Sequence, residues 1–214
     1  MANEFSAAQN VGPKVTRAQK KVLNNWENMG LGKLLLSLGE DLTRQGLLET
    51  PARVIRAWKE HLSGYTMDPD EIVAKVWDAE GGGDIIARNI FFSSLCEHHC
   101  LSFFGYIDVA YRVLPGYKVL GLSKIPRLIH CFSHRLQIQE RLVNQIADTI
   151  ERKIHPRGLV VRARGRHLCC TGRGVRTESM QMTTVATRGA PQVCEILIQR
   201  IGDKQNGTEI ISTE

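Results

Sequence analysis

The chain has 214 residues, of which 43% are hydrophobic and 23% charged, as is usual for a folded globular protein. No stretch approaches the roughly 18 consecutive apolar residues of a membrane span, and Met1–Lys14 lacks the apolar core and cleavage site of a secretory signal. We therefore expect a cytoplasmic protein without a membrane partner. The net charge of +6 suits a polyanionic partner, either nucleic acid or a nucleoside triphosphate.

The N-terminal part of the chain is expected to be helical. Residues 1–14 are predicted to form a flexible arm, and Thr16–Asn28 and Leu31–Gly39 to form helices. Thr50-Pro51 predicts the start of a helix that stops at Gly64, because a capping hydroxyl precedes a proline at the first helical position. Asp68-Pro69 repeats this signal. The run Gly81-Gly82-Gly83 marks a boundary, so residues 15–83 are assigned to a helical N-terminal region.

The remainder of the chain alternates between strand and helix patterns. Strands are predicted at Ile85–Leu95, Tyr106–Val113, Leu159–His167 and Met182–Thr187, and Ser123 is expected to cap a helix that reaches Phe132. A longer helix carries an apolar stripe at four-residue steps, formed by Ile138, Leu142, Ile146, Ile150 and Ile154. This order predicts an α+β domain over 84–201, with two helices on one face of an antiparallel sheet. Pro191–Ile201 is interpreted as a short separate element, and 202–214 as a loose tail.

Two short segments are rich in side chains that bind metals. These segments are Cys96-Glu97-His98-His99-Cys100 and His167-Leu168-Cys169-Cys170. In the expected compartment, free thiols or metal sites are favoured over disulfides. Zinc prefers thiolate and imidazole ligands, and a catalytic zinc uses three of them. A turn could present Cys96 and His99 to one ion, with Cys169 as the third ligand. A closed structural site with Cys100 or Cys170 as the fourth ligand remains an alternative.

Several motifs together resemble those of the GTP cyclohydrolase I family. They are Ser94-Leu95-Cys96-Glu97-His98-His99, Gly121-Leu122-Ser123-Lys124, Gln137-Ile138-Gln139-Glu140-Arg141-Leu142 and His167-Leu168-Cys169 with Arg173-Gly174-Val175. The resemblance spans roughly Leu34 to Thr187 and implies a tunnelling fold, in which subunits join their sheets around a channel. It also implies a homodecamer with active sites between subunits. The zinc ligands it implies are Cys96, His99 and Cys169, with His98 and His167 as catalytic histidines.

The resemblance further implies the reaction and the residues that carry it. GTP is hydrolysed at C8 of guanine to give formate and 7,8-dihydroneopterin triphosphate. His98 is expected to protonate N7, His167 to carry a second proton and Ser123 to bond the ribose oxygen, while Glu140, with Gln139 beside it, is expected to bind guanine. The triphosphate is expected to contact five cations: Lys124, Arg127, Arg173, Arg53 and Arg56, the last replacing the family's usual lysine.

Three features depart from the family pattern. Cys100 replaces an apolar residue, Arg162, Arg164 and Arg166 form a basic stripe on one strand face, and the tail after Gly189 lacks the usual Arg-Glu-x-Phe-Leu ending. Three alternatives to the enzyme therefore stay open: a non-catalytic nucleotide-binding relative, a nucleic-acid-binding protein using the arginine stripe, and an enzyme acting on a related purine nucleotide. The sequence leaves open the pathway that uses the product (folate, biopterin or deazaguanine nucleoside) and the metal used in the cell.

Overall fold

The structure is a computed structural model that describes residues 30–202. The predicted arm and the predicted helix Thr16–Asn28 lie outside this range. So does the predicted tail 202–214, except for Gly202, which is the last residue of a helix. The chain divides between Lys59 and Glu60 into two compact units. The first unit contains helix α1 (Gly30–Ser37), a 3-10 turn (Gln45–Leu47) and the start of helix α2 (Thr50–His61). The helix start predicted at Thr50-Pro51 is confirmed.

The second unit begins with short elements. A 3-10 turn (Ser63–Thr66) is followed by helix α3 (Pro69–Ile72). Asp68 is the N-cap of this helix, and its side chain accepts a 2.8 Å hydrogen bond from the backbone N–H of Asp70. This confirms the capping prediction. Strand β1 (Val76–Asp78) then pairs antiparallel with β4 (Lys118–Leu120). Neither strand is predicted by the sequence patterns. β1 lies within the N-terminal region for which the sequence predicts helices.

The main sheet has five strands in the order β5-β2-β3-β6-β7. Its strands are β2 (Gly83–Cys96), β3 (Ser102–Val113), β5 (Leu136–Gln137), β6 (Gly158–His167) and β7 (Met182–Gly189). All neighbours are antiparallel except β5, which runs parallel to the end of β2. The four long strands match the predicted ones, because each carries β-branched residues, joined in β2 and β3 by aromatic ones, that favour a strand.

Helices cover both faces of this sheet. Helices α4 (Lys124–Ser133) and α5 (Gln139–Ile154) pack on the face that carries Val109 and Val161, and there the predicted stripe buries Leu142, Ile146, Ile150 and Ile154. Helix α7 (Pro191–Gly202) packs on the opposite face against Ala110 and Val160. The α+β class is thus confirmed, and the two predicted helices lie on one face of the sheet. Helix α7 is a third helix, on the other face. Leu197 and Ile201 give α7 an apolar side that needs its own burial. None of the helices between residues 30 and 202 is long and apolar enough to cross a membrane.

The arginine stripe lies on the α7 face, where a buried carboxylate holds two of its members. Asp108 is fully buried, and its side chain accepts hydrogen bonds from Arg162 at 2.8 Å and Arg164 at 3.2 Å. Arg162 also donates to the backbone carbonyl of Ile201 at the end of α7. Two of the three arginines are therefore engaged within the fold, and only Arg166 is exposed. This pairing favours a structural role for the stripe over nucleic-acid binding.

Candidate metal centre and active site

The strand register brings the two ligand-rich segments to one end of the sheet. Cys96 is the last residue of β2 and pairs with Gln137, two residues before the start of α5. On the next strand Phe103 pairs with His167, the last residue of β6. Because neighbouring residues of adjacent strands lie roughly 5 Å apart, the ends of β2 and β6 and the start of α5 meet at this edge.

The turn after β2 is shaped by backbone hydrogen bonds around Cys96. The Cys96 carbonyl accepts from the N–H of Cys100 at 2.8 Å, and the Cys96 N–H donates to the carbonyl of Leu101 at 2.9 Å. Cys100 closes the turn with a left-handed backbone at φ 53°. Its side chain is exposed, so Cys100 shapes the turn through its backbone.

The predicted ligand trio converges in space. The ligand atoms of Cys96, His99 and Cys169 all lie within 4.8 Å of one another. Cys169 comes from a short helix, α6 (Leu168–Thr171), that directly follows β6 and was not predicted. Cys100 and Cys170 are outside this group, although the sulfur of Cys170 lies 3.9 Å from that of Cys169. The arrangement favours the three-ligand alternative over the closed four-ligand one.

Without a cation, the thiol form of Cys169 is favoured over the thiolate. Burial, followed by the neighbouring Cys170 and Cys96 thiols, raises the pKa of Cys169 to about 11. A cation held between the donor atoms would reverse this, because it stabilises thiolates and a neutral imidazole. Two sulfurs and one nitrogen are donors that zinc accepts. The donor set therefore fits a zinc ion.

A second pair of side chains braces the turn against α5. Arg141 donates two hydrogen bonds to the Glu97 carboxylate, at 2.6 and 2.9 Å. These bonds, above all, lower the pKa of Glu97. Between Glu97 and the ligand His99 lies His98, which is exposed and has its Nδ1 3.8 Å from the sulfur of Cys96. No role is predicted for Glu97 or Arg141 from the sequence. The signal that could have suggested one is that each lies next to a predicted site residue, His98 and Glu140 respectively.

His167 is held in a partly apolar environment. Its ring stacks on Phe103 with centroids 4.6 Å apart and planes 6° apart. Burial lowers the pKa of His167, and the charge of Glu140 opposes this. The Nε2 atom of His167 lies 3.1 Å from Oε1 of Gln139, whose side chain is fully buried. Gln139, expected to bind guanine, is therefore engaged with protein groups in this structure.

The remaining predicted site residues form two groups. Glu140, in the first turn of α5, and Arg173, after α6, are exposed at the end of the sheet that carries the ligand trio. Ser123 instead lines a cavity of about 450 Å³ with Ala87 and Ile90 of β2. The cations Lys124 and Arg127 lie in the first turn of α4, directly after Ser123.

Ser123 occupies the N-cap position of α4 but makes no side-chain capping hydrogen bond, so the predicted cap was wrong. Its backbone is already helical there, at φ −68° and ψ −14°, whereas a capping residue is usually extended. Ile90, beside Ser123 in the cavity, lies six residues from Cys96 along β2, which is about 20 Å. Ser123 and the ligand trio of one chain are thus separated by more than hydrogen-bond reach.

The two other predicted phosphate contacts lie in the first unit. Arg53 and Arg56 are exposed on α2, and Arg53 is paired with Glu49 at 2.7 Å, one turn earlier. Such an exposed pair is worth little in stability. Both arginines are therefore available to an anion at small cost.

Comparison with known proteins identifies the family of the chain. Residues 28–196 match the model of the family described as GTP cyclohydrolase I. The GTP cyclohydrolase 1 of Wolinella succinogenes is 45% identical over 71% of this chain and 81% of its own length. Those of Brucella anthropi and Deinococcus radiodurans are each 44% identical, over 75% and 72% of this chain and 75% and 71% of their own lengths.

Among solved structures, an archaeosine synthase QueF-Like in the apo form aligns with 52% of this chain and 97% of its own. Its TM-score of 0.39 and identity of 15% are too low to support a conclusion about this protein. The family model and the three relatives do support one, because they cover most of the chain. This protein belongs to the GTP cyclohydrolase I family of enzymes.

Proposed function

We propose that this protein hydrolyses GTP at C8 of guanine, releasing formate and forming 7,8-dihydroneopterin triphosphate. The observation that carries the proposal is the convergence of Cys96, His99 and Cys169 within 4.8 Å. His98 and His167 lie beside this trio at the same end of the sheet. The reaction needs an activated water and proton donors next to a guanine site, and this grouping supplies candidates for both.

The metal is proposed to be zinc, held by Cys96, His99 and Cys169. A bound zinc ion would act as a Lewis acid and lower the pKa of a water from about 15.7 to ~7. The chain itself provides two thiolates and one imidazole, leaving a fourth position open. Cys96 is buried and His99 exposed, so the trio has a protein side and an open side.

Proton transfer is assigned to the two histidines that are not ligands. His98 is proposed to protonate N7, which makes C8 electrophilic. A histidine suits this task since its ordinary pKa is near ~6.5. His167 is proposed to carry the second proton. Glu140 is proposed to accept hydrogen bonds from N1 and the 2-amino group of guanine, because it is exposed at the start of α5, close enough to influence His167.

The second group of residues is proposed to act in the site of a neighbouring copy. Ser123 should bond the ribose oxygen, yet Ile90, which lines the same cavity as Ser123, lies about 20 Å along β2 from Cys96. The ribose is bonded directly to the base, so this separation supports contacts from two different chains. Lys124 and Arg127 of the neighbour would then bind the triphosphate together with Arg173, Arg53 and Arg56. This supports a homo-oligomer with shared sites, which we propose to be a decamer of tunnelling-fold domains.

The proposed function also assigns a role to each part of the chain. Residues 84–201 are proposed to form the catalytic domain, and 15–83 a region that precedes it and is mainly helical apart from β1. The cytosol is its proposed compartment, where thiols stay reduced and available to zinc.

The test is direct incubation of the zinc-loaded protein with GTP. Formate release together with the fluorescent oxidised pterin is the expected result, and the Cys169→Ala variant serves as the inactive control. GTP binding without formate would favour the non-catalytic relative. Turnover of another purine nucleotide, with GTP left intact, would favour the third alternative.

A further inference from the structure

The side-chain amide of Gln139 is fixed in one orientation by the strands around it. Its Nε2 donates to the backbone carbonyl of Met182 at 3.0 Å, to that of Ala163 at 3.3 Å and to the hydroxyl of Thr184 at 3.1 Å. Carbonyl oxygens only accept hydrogen bonds, so the atom that faces two of them must be the NH₂ group. The amide oxygen therefore points the other way.

That oxygen faces His167. Oε1 of Gln139 lies 3.1 Å from Nε2 of His167, and an amide oxygen can only accept. Nε2 must then carry the hydrogen, which leaves Nδ1 as the nitrogen that is bare in the neutral ring. The partner of one ring nitrogen sets the state of the other in this way.

Gly165 leaves the room that this arrangement needs. A Cβ atom at Gly165 would approach Oε1 of Gln139 to 2.3 Å and Phe92 to 3.5 Å. The first distance is far too short for a real contact, and the group that would yield is the end of a flexible side chain. An alanine at this position would therefore displace the Gln139 amide before it disturbed the strand.

We propose that Gln139 is a positioning residue for His167, holding the ring with its hydrogen on Nε2 and its bare Nδ1 turned away from the Gln139 amide. The proposal rests on the proposed function of the site, and it replaces guanine binding as the task of Gln139. Phe103 holds the plane of the ring by stacking, and Gln139 sets its rotation within that plane. Both restraints come from buried residues on rigid elements.

A double-mutant cycle on the zinc-loaded enzyme tests the proposal. Gln139→Met keeps the size of the side chain and removes its hydrogen bonds, and we expect kcat to fall by roughly 10–100-fold while KM for GTP changes less than about threefold. In a His167→Asn background the same change should have no further effect on kcat, because Gln139 acts only through His167. A multiplied loss, or a rise in KM without loss of kcat, would overturn the proposal and restore a substrate contact.

Two further measurements separate positioning from a structural role or from failure of the proposed function. Gly165→Ala should reproduce the kcat loss of Gln139→Met while the protein stays folded and its zinc content stays near that of the parent protein. Unchanged kcat in a folded Gly165→Ala protein would contradict the proposal. Neutron diffraction on the unmodified protein requires no activity, and it should show deuterium on Nε2 of His167. A bare Nε2 would refute the assignment even if GTP is turned over.

Discussion

Two clusters of potential metal ligands lie in the same unit, and they differ in how their atoms meet. The ligand trio brings two sulfurs and a nitrogen within 4.8 Å of one another. The histidine stack, formed by His61, His130 and His134, instead brings ring faces together: the centroids of His130 and His134 are 3.6 Å apart, and those of His61 and His134 are 6.3 Å apart.

The stack shows that ligand-type side chains can gather without forming a site. Its rings are nearly parallel, at 27° and 22°, so their nitrogens point alongside one another and not towards a common centre. Within residues 30–202 the trio is the group whose ligand atoms converge. His130 and His134 lie one helical turn apart, a spacing that alone would suggest metal binding, whereas Cys96 and Cys169 are distant in sequence. Convergence is set by the sheet register, not by proximity along the chain.

The largest effect should come from removing one member of the trio. Cys169→Ala should lose zinc and lower turnover by about 10³-fold or more, since a catalytic metal contributes several kcal/mol. Metal content and formate release measure both. His130→Ala in the stack and Cys100→Ala in the turn are the matched controls and should keep full zinc. If Cys169→Ala retained its zinc, Cys170 would be the better candidate for the third ligand.

A smaller loss is expected when a proton donor is removed and the trio is left intact. His98→Ala should keep zinc and bind GTP, but release formate roughly 10²–10⁴-fold more slowly, as is typical for a general acid. His98→Ser should behave in the same way, because a hydroxyl does not supply a proton near neutral pH. If His98 only shapes the turn, its removal would instead lower stability with little change in rate.

Removal of the residue proposed to bind guanine should have a third and weaker effect on turnover. Glu140→Ala leaves guanine donors without their partner, which costs about 1–3 kcal/mol, or roughly 5–150-fold in kcat/KM for GTP. Zinc content should be unchanged. Glu195→Ala, which removes an exposed glutamate on α7, is the control. Near-normal binding and turnover in the Glu140→Ala protein would move base recognition elsewhere.

Sequence reasoning succeeded where local pattern and structure agree. The apolar residues of α5 recur at four-residue steps, and this spacing is visible in the sequence. The cysteine and histidine types at the metal centre are visible there as well. It failed where the outcome depends on distant partners: β1 needs β4, and the burial of Gln139 depends on β6 and β7. Asp108 likewise gives Arg162 and Arg164 a structural task that no spacing could reveal.

The histidine stack should make the stability of the protein depend on pH on the acid side. Burial, and then the charge of neighbouring His130, lowers the pKa of His134, with His61 adding to the shift and Glu60 opposing it. The buried Nδ1 of His61 has no hydrogen-bond partner within the described residues. A neutral His134 is thus favoured in the folded protein, whereas in the unfolded chain it takes up a proton below about pH 6.5.

The consequence is a loss of stability on the acid side that one substitution should relieve. Because the unfolded state binds more protons, the free energy of unfolding contributed by His134 is complete above about pH 6.5 and falls as the pH drops towards its lowered folded value. His134→Gln removes this proton uptake, so its urea midpoint should fall less between pH 7.5 and 5.5 than that of the parent protein. His155→Asn is the control, because it replaces an exposed histidine that lies outside the stack, at a left-handed position that asparagine tolerates. Equal acid dependence in His134→Gln and the parent would show that the crowded imidazoles do not limit stability, and that the contrast with the trio is one of geometry alone.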